Sequence, residues 1–128
     1  MSFEVVAAKD YAGEGYDLVT VFDCLHDMGD PVGASAHVKR SLRADGAWMI
    51  VEPFANDRLE DNLNPVGRIF DSASTFICTP ASRAQEGGAC LGAPAGEARI
   101  REVVTQGGFS HFRRATQTPF NLIYEARP

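Results

Sequence analysis

The stretch Tyr16-Asp17-Leu18-Val19-Thr20-Val21-Phe22-Asp23 decides the architecture. It is β-branched, aromatic and almost continuously apolar. A strand with one wet face alternates apolar with polar residues, whereas a parallel strand covered on both faces does not. The stretch therefore predicts a parallel strand over Tyr16–Phe22, buried on both faces and ended by Asp23. Upstream, Phe3–Val6 reads as a further short strand. Downstream, Asp30-Pro31 predicts a helix start, because Asp30 can cap free N–H groups and Pro31 needs none in the first turn. Ala34, Val38 and Leu42 share one face of that helix at i, i+4 spacing. Asp45-Gly46 then predicts a turn into a second buried strand, Ala47–Val51, which stops at Glu52-Pro53.

The rest of the chain follows the same logic. Phe54 to Asn64 is polar and irregular. Val66, Ile69, Phe70, Ala73, Phe76 and Ile77 mark an amphipathic helix by their 3–4 residue spacing, and Pro80 is expected to end it. Ala81 to Pro94, rich in Gly, Ala and Ser, reads as a mobile loop. A third helix carries Ile100, Val103 and Val104 and closes at Gly107-Gly108. Phe109–Ala115 and the alternating Phe120, Leu122, Tyr124 and Ala126 predict two final strands paired antiparallel across a short turn. The order β, β-α, β-α-α, β-β predicts an α/β fold, with parallel strands first and an antiparallel hairpin last.

Composition sets the outer limits. The 128 residues make one domain, 45% apolar and 23% charged, as in ordinary globular proteins. A net charge of -5 repels phosphate backbones and argues against nucleic acid as a partner. Lys39-Arg40 and Arg113-Arg114 are too short to form a basic stripe. Cys24, Cys78 and Cys90 are odd in number and widely spaced, which fits reduced cytoplasmic thiols better than disulfides, zinc or a redox motif. Met-Ser-Phe-Glu-Val-Val lacks the features of a signal peptide. The longest clean apolar run, Ala47–Val51, is too short to cross a bilayer. A cytoplasmic protein without a membrane partner is expected.

Several stretches together resemble class I, S-adenosylmethionine-dependent methyltransferases. Tyr16–Asp23 resembles their fourth strand, and Leu42–Glu52 the helix end, turn and fifth strand. Gly107-Gly108-Phe109 resembles the junction before the sixth strand, and the last hairpin matches a reversed seventh strand. Phe-Asp-Cys-Leu-His-Asp-Met-Gly-Asp-Pro from Phe22, Arg-Leu-Glu-Asp-Asn-Leu-Asn-Pro from Arg58 and Thr-Pro-Phe-Asn from Thr118 resemble bacterial members with an N-terminal winged-helix domain. The resemblance covers essentially the whole chain. It implies the C-terminal half of such an enzyme: a single truncated domain over residues 1–128, with an incomplete Rossmann-like sheet lacking the first two strands. The glycine loop that holds the methionine end of the cofactor, and the acidic residue for its ribose, belong before Phe3 in that scheme. Gly13-Glu14-Gly15 precedes a strand and cannot substitute. S-adenosylmethionine is thus the cofactor implied by resemblance, with weak or no binding expected of these residues alone.

Ligands of open α/β sheets sit at the carboxyl ends of the strands. That rule selects Ala8–Tyr11, Asp23–Asp27 and Glu52-Pro53. By resemblance, Asp10 and Tyr11 flank the adenine, and Asp23 and His26 line the methyl-transfer end. Phe120 and Asn121 lie near the acceptor pocket, with Glu52 as a further substrate-binding candidate. Transfer to oxygen or nitrogen requires removal of a proton, and imidazole titrates near neutrality. His26 is therefore the candidate base, with Asp27 or Asp23 orienting its ring; the plainer assignment is a loop-capping histidine. His37 and His111 read as surface residues, and Cys24, Met28 and Trp48 as packing groups. Asp23, His26, Asp27, Asp30 and Glu52 match no standard metal spacing, so no metal is expected.

Three functions stay open: a small-molecule methyltransferase completed by another polypeptide or a second copy, a non-catalytic self-associating relic, or a small binding module. A homodimer is expected, because the apolar Tyr16–Phe22 edge would lack its neighbour and carries few charges to guard it.

Overall fold

The computed structural model describes all residues, 1–128. Tyr16–Phe22 forms β1, Leu42–Pro53 β2, His111–Gln117 β3 and Asn121–Arg127 β4. They make one four-stranded sheet in the order β1-β2-β4-β3. β1 and β2 run parallel, and β4 is antiparallel to both β2 and β3. The fold is therefore α/β with a mixed sheet, as the sequence predicted. β2 begins earlier than expected. Its ladder slips between Tyr16↔Leu42 and Leu18↔Ala47, so the Asp45-Gly46 turn is an irregularity within the strand.

Helix α1 spans Pro31–Ser41, and the Asp30 carboxylate accepts a hydrogen bond from Gly33 N at 2.8 Å, a working N-cap. Helix α4 spans Gly96–Gln106. Val38 of α1 and Ile100 and Val104 of α4 pack with Trp48, Ile50, Leu122, Tyr124 and Ala126 of the sheet in one core. Trp48 meets Phe109 at 5.4 Å between ring centroids, and Phe112 meets Tyr124 at 5.0 Å. Along β2 and β4 the buried residues alternate with half-buried ones. One sheet face is thus packed and the other is partly open. β1 departs from the expectation of burial on both faces: Leu18 is 56% and Phe22 60% exposed, because β1 is an edge strand.

Phe3–Val6 does not form a strand. Residues 1–7 form no regular element, are exposed, and pair with no strand of the sheet. A short apolar segment has no ladder to join when the edge it would reach lies elsewhere.

The helical segment after Asn64 differs most from expectation. Helix α2, Pro65–Ala73, passes into a π-helical turn, Ser74–Cys78, and on into helix α3, Thr79–Arg83. Pro80 does not end it. In a regular helix the Pro80 ring would meet the carbonyl four residues back. The wider turn, with Thr79 N–H bonded to the Ser74 carbonyl, relieves that crowding. The apolar side faces outward. Ile69, Phe76 and Ile77 are exposed, while Ser74, Cys78 and Ser82, at i, i+4 spacing, are buried.

Those small polar residues fasten the glycine-rich segment that follows. Ser74 Oγ accepts from Ala93 N at 3.1 Å. Ser82 Oγ accepts from Cys90 N at 3.0 Å and donates to Met28 O at 2.8 Å. Gln85 bridges Gly29 N and Asp27 O, at 2.9 Å each. Ala81–Pro94 is therefore a tied connection and not a free loop.

Candidate functional site

The site sits at the carboxyl ends of β1 and β2. β1 closes with Asp23 N bonded to Val51 O at 2.8 Å. Asp23 then takes a positive φ of 45°, turning the chain into a single 3-10 turn, Leu25–Asp27. Leu25 plugs into the core and holds that turn against β2. The turn delivers His26 to Glu52, near the end of β2.

Both groups are buried, at 3% exposure each. Glu52 Oε1 accepts from Leu25 N at 2.9 Å, and Oε2 lies 2.5 Å from His26 Nδ1. A carboxylate oxygen can only accept, so Nδ1 carries a proton and the lone pair of neutral His26 is on Nε2. Burial is the largest single influence on His26 and pulls its pKa down. Glu52, Asp27 and Asp23 together outweigh it, and the pKa lies above the usual value. The arrangement makes a tautomer-fixed, strengthened base.

On the other side of the ring, Asp27 Oδ1 lies 3.1 Å from Nε2. That oxygen is buried and has no aligned hydrogen-bond partner. Cys78, the last residue of the π-helical turn, completes a cluster with His26 and Asp27. Burial first, then the neighbouring Asp27 carboxylate, push the Cys78 thiol up to about 11.

At the same end of the sheet lies an open cleft of about 330 Å³ lined by Asp23, Val66, Ile69, Phe70, Phe120 and Asn121. Asn121 Nδ2 donates to Asp23 Oδ1 at 3.0 Å, which joins the end of β1 to the start of β4. Thr118 Oγ1 accepts from Phe120 N at 3.2 Å and from Asn121 N at 2.9 Å, setting the turn that presents both. The outward apolar side of α2 is thus one wall of a pocket. Gly67 allows α2 to press on the preceding segment, since a Cβ there would approach Asn62 O within 1.9 Å.

The structure brings Asp23, His26, Asp27, Glu52, Phe120 and Asn121 to one end of the sheet. Glu52 faces inward onto His26 and does not open into the cleft. Asp10 and Tyr11 lie apart, against α1. Tyr11 Oη meets Ser41 Oγ at 2.7 Å, and its ring packs edge-on to His37 at 4.3 Å. His37, expected at the surface, bonds Tyr11 O through Nε2 at 2.9 Å and is half-buried. His111 is exposed as expected.

Two roles escaped the sequence. Asp27 and Asp23 were the expected partners of the imidazole, yet Glu52 holds Nδ1. Cys78 read as a plain thiol. Its signal is the buried i, i+4 row Ser74, Cys78, Ser82, hidden by the reading of Pro80 as a stop.

No protein-family model matches the chain, and no curated protein matches it in sequence. Solved structures do. The CMeT domain of the citrinin polyketide synthase matches with a TM-score of 0.70 at 16% identity, over 99% of this chain and 32% of that one. Human N-acetylserotonin methyltransferase in complex with SAM gives 0.64 at 15%, over 98% and 33%. An O-methyltransferase family protein from Burkholderia thailandensis gives 0.60 at 19%, over 99% and 35%. The chain spans about a third of the length of each. No helix is long and apolar enough to cross a membrane. The 128 residues share the fold of about a third of each of these methyltransferases.

Proposed function

We propose that this chain is the acceptor side of an S-adenosylmethionine-dependent methyltransferase acting on a small-molecule oxygen or nitrogen acceptor. The observation that carries the reading is His26, fixed by buried Glu52 so that Nε2 is the basic nitrogen, at the same end of the sheet as an open cleft walled by Val66, Ile69, Phe70 and Phe120. The acceptor's apolar body rests on Val66, Ile69, Phe70 and Phe120. Its O–H or N–H donates to Nε2 as the nucleophile forms, and Asp27 steadies the imidazolium. S-adenosylmethionine supplies the methyl group on a sulfonium when bound. Asp23, Asp10 and Tyr11 are the residues on this side that would meet it. Asp23 suits the sulfonium end and Asp10 the adenine flank, whereas the Tyr11 hydroxyl is already engaged with Ser41. Its methionine end needs backbone N–H donors that none of the strand ends here provides.

A polypeptide of these 128 residues alone is accordingly expected to bind S-adenosylmethionine weakly or not at all; micromolar binding by calorimetry would refute this. In a form that binds it, His26→Ala is expected to cut turnover by about 10²–10⁴-fold with cofactor affinity unchanged. Unchanged turnover with an acceptor that does not ionise by itself would remove His26 from the role. A non-catalytic, self-associating module is the second reading, favoured by the bare apolar edge of β1. Calorimetry against S-adenosylmethionine in the presence of any completing polypeptide separates the two.

A further inference from the structure

We propose that His26 Nε2, Asp27 Oδ1 and Cys78 Sγ form a binding site for a thiophilic divalent cation of the Zn²⁺ class. The site goes beyond the methyl-transfer reading, because it needs neither cofactor nor acceptor. One ligand atom from each of the three residues lies within 4.8 Å of the other two. The His26 side chain is 4% exposed, and its Nε2 faces Asp27 Oδ1 at 3.1 Å without an aligned hydrogen bond. Oδ1 is itself buried and unpartnered. Buried polar atoms without partners are rare in folded proteins. A cation would give Oδ1 its partner and take the imidazole nitrogen and the sulfur as its other ligands.

Two independent features point the same way. A metal-bound imidazole commonly gives its other N–H to a carboxylate, which fixes the tautomer and raises its basicity. Glu52 stands in that position, 2.5 Å from Nδ1. Cys78 closes a π-helical turn, and such turns concentrate at functional sites. The donor set selects the metal: one imidazole, one carboxylate and one thiolate suit Zn²⁺, whereas Mg²⁺ and Ca²⁺ take oxygen. Three protein ligands leave a fourth position for water, on the side where Asp27 is 35% exposed. With Zn–S about 2.3 Å and Zn–N about 2.0 Å, the widest ligand separation closes by about 1 Å on binding. The Cys78 thiol proton leaves to solvent as the S–metal bond forms, so binding releases protons and weakens as pH falls. A cation on Nε2 also occupies the lone pair that would take the acceptor's proton. The metal-loaded and base-competent states exclude each other.

The test uses the 128-residue chain with Co²⁺ as a chromophoric probe and Zn²⁺ in competition with a coloured chelator. One equivalent of Co²⁺ is expected to give the near-ultraviolet thiolate-to-cobalt charge-transfer band. Cys78→Ser should abolish the band and weaken Zn²⁺ binding at least about tenfold, while Cys24→Ser and Cys90→Ser keep both. Circular dichroism reports the fold of each variant. If Cys78→Ser does not fold, Asp27→Asn replaces it, with the band kept and affinity reduced. Absence of the band, its persistence in Cys78→Ser, or full affinity in Asp27→Asn would overturn the site. Methyl transfer measured with chelator present tests His26 as base separately, so the two ideas fail by different readouts.

Discussion

The two edges of the sheet are built differently. β3 carries Arg113 and Arg114, exposed and paired with Glu125 and Glu97. Arg101 also lies over the Phe112 ring at 4.7 Å. Charged, long side chains on an outer strand discourage pairing with another chain. β1 has no such guard on its apolar run. Leu18 and Phe22 stand in the open, and only Val19 and Val21 turn into the core. β3 is a finished edge, while β1 has the composition of an interior strand. The sheet has a guarded edge on one side and an unguarded apolar edge on the other.

The comparison rests on a shared centre, and the largest effect should come from breaking that centre. Glu52→Ala leaves a buried imidazole and the Leu25 N–H unpaired. It is expected to cost about 3–5 kcal/mol in chemical denaturation. A loss within experimental error would mean that the end of β2 holds neither the 3-10 turn nor His26.

Next comes β1 itself. We propose that a polypeptide of these 128 residues forms a homodimer through this edge. Leu18→Lys should weaken association at least about tenfold, equivalent to about 1.4 kcal/mol, with little change in monomer stability. Sedimentation equilibrium at micromolar concentration reads this. A wild-type monomer of 13.9 kDa, with slow amide exchange along Leu18–Phe22, would show that the edge is closed internally.

A smaller effect separates charge from packing. The folded pKa of His26 is raised, so its contribution is full below the unfolded value of about 6.5 and is lost as pH rises through the folded value. Stability should decline over that window and stop declining in His26→Gln. Measurement below about pH 8 keeps the cysteines out of the result. A flat wild-type profile would show that burial cancels the three carboxylates.

The smallest effect belongs to β3. Arg113→Ala removes an exposed pair with Glu125, 2.5 Å in the structure, and should cost about 0–1 kcal/mol, less in high salt. Its value is the contrast: gain of self-association in Arg113→Leu would show that charge is what keeps β3 single.

Much of this was legible beforehand. Strand Tyr16–Phe22, the Asp30-Pro31 cap, α4 and the terminal hairpin follow from local pattern, where periodicity and turn chemistry agree. The failures have a common cause. Apolar character predicts burial only if a partner is present. Leu18 and Phe22 were expected in a strand buried on both faces, and Phe3–Val6 in a strand, yet all but the half-exposed Val6 end lie well in the open. At the site, strand ends located Asp23, His26 and Glu52 through a rule about sheets. The bond between His26 and Glu52 crosses 26 positions, and no spacing in the sequence encodes it.

The π-helical turn bears on how this region can change. A π-helical turn amounts to one residue inserted into an α-helix, and each residue advances the helix by about 100°. Deleting a residue within Ser74–Cys78 would restore a regular helix, but it would bring the Pro80 ring against a carbonyl and rotate the upstream face by that angle relative to Ser82. Ser74 would then leave Ala93, and the apolar wall of Val66, Ile69 and Phe70 would turn with it. The insertion and the proline are consequently a linked pair, gained or lost together. A length change here reaches the cleft wall and the thiol at once, which no single side-chain substitution does.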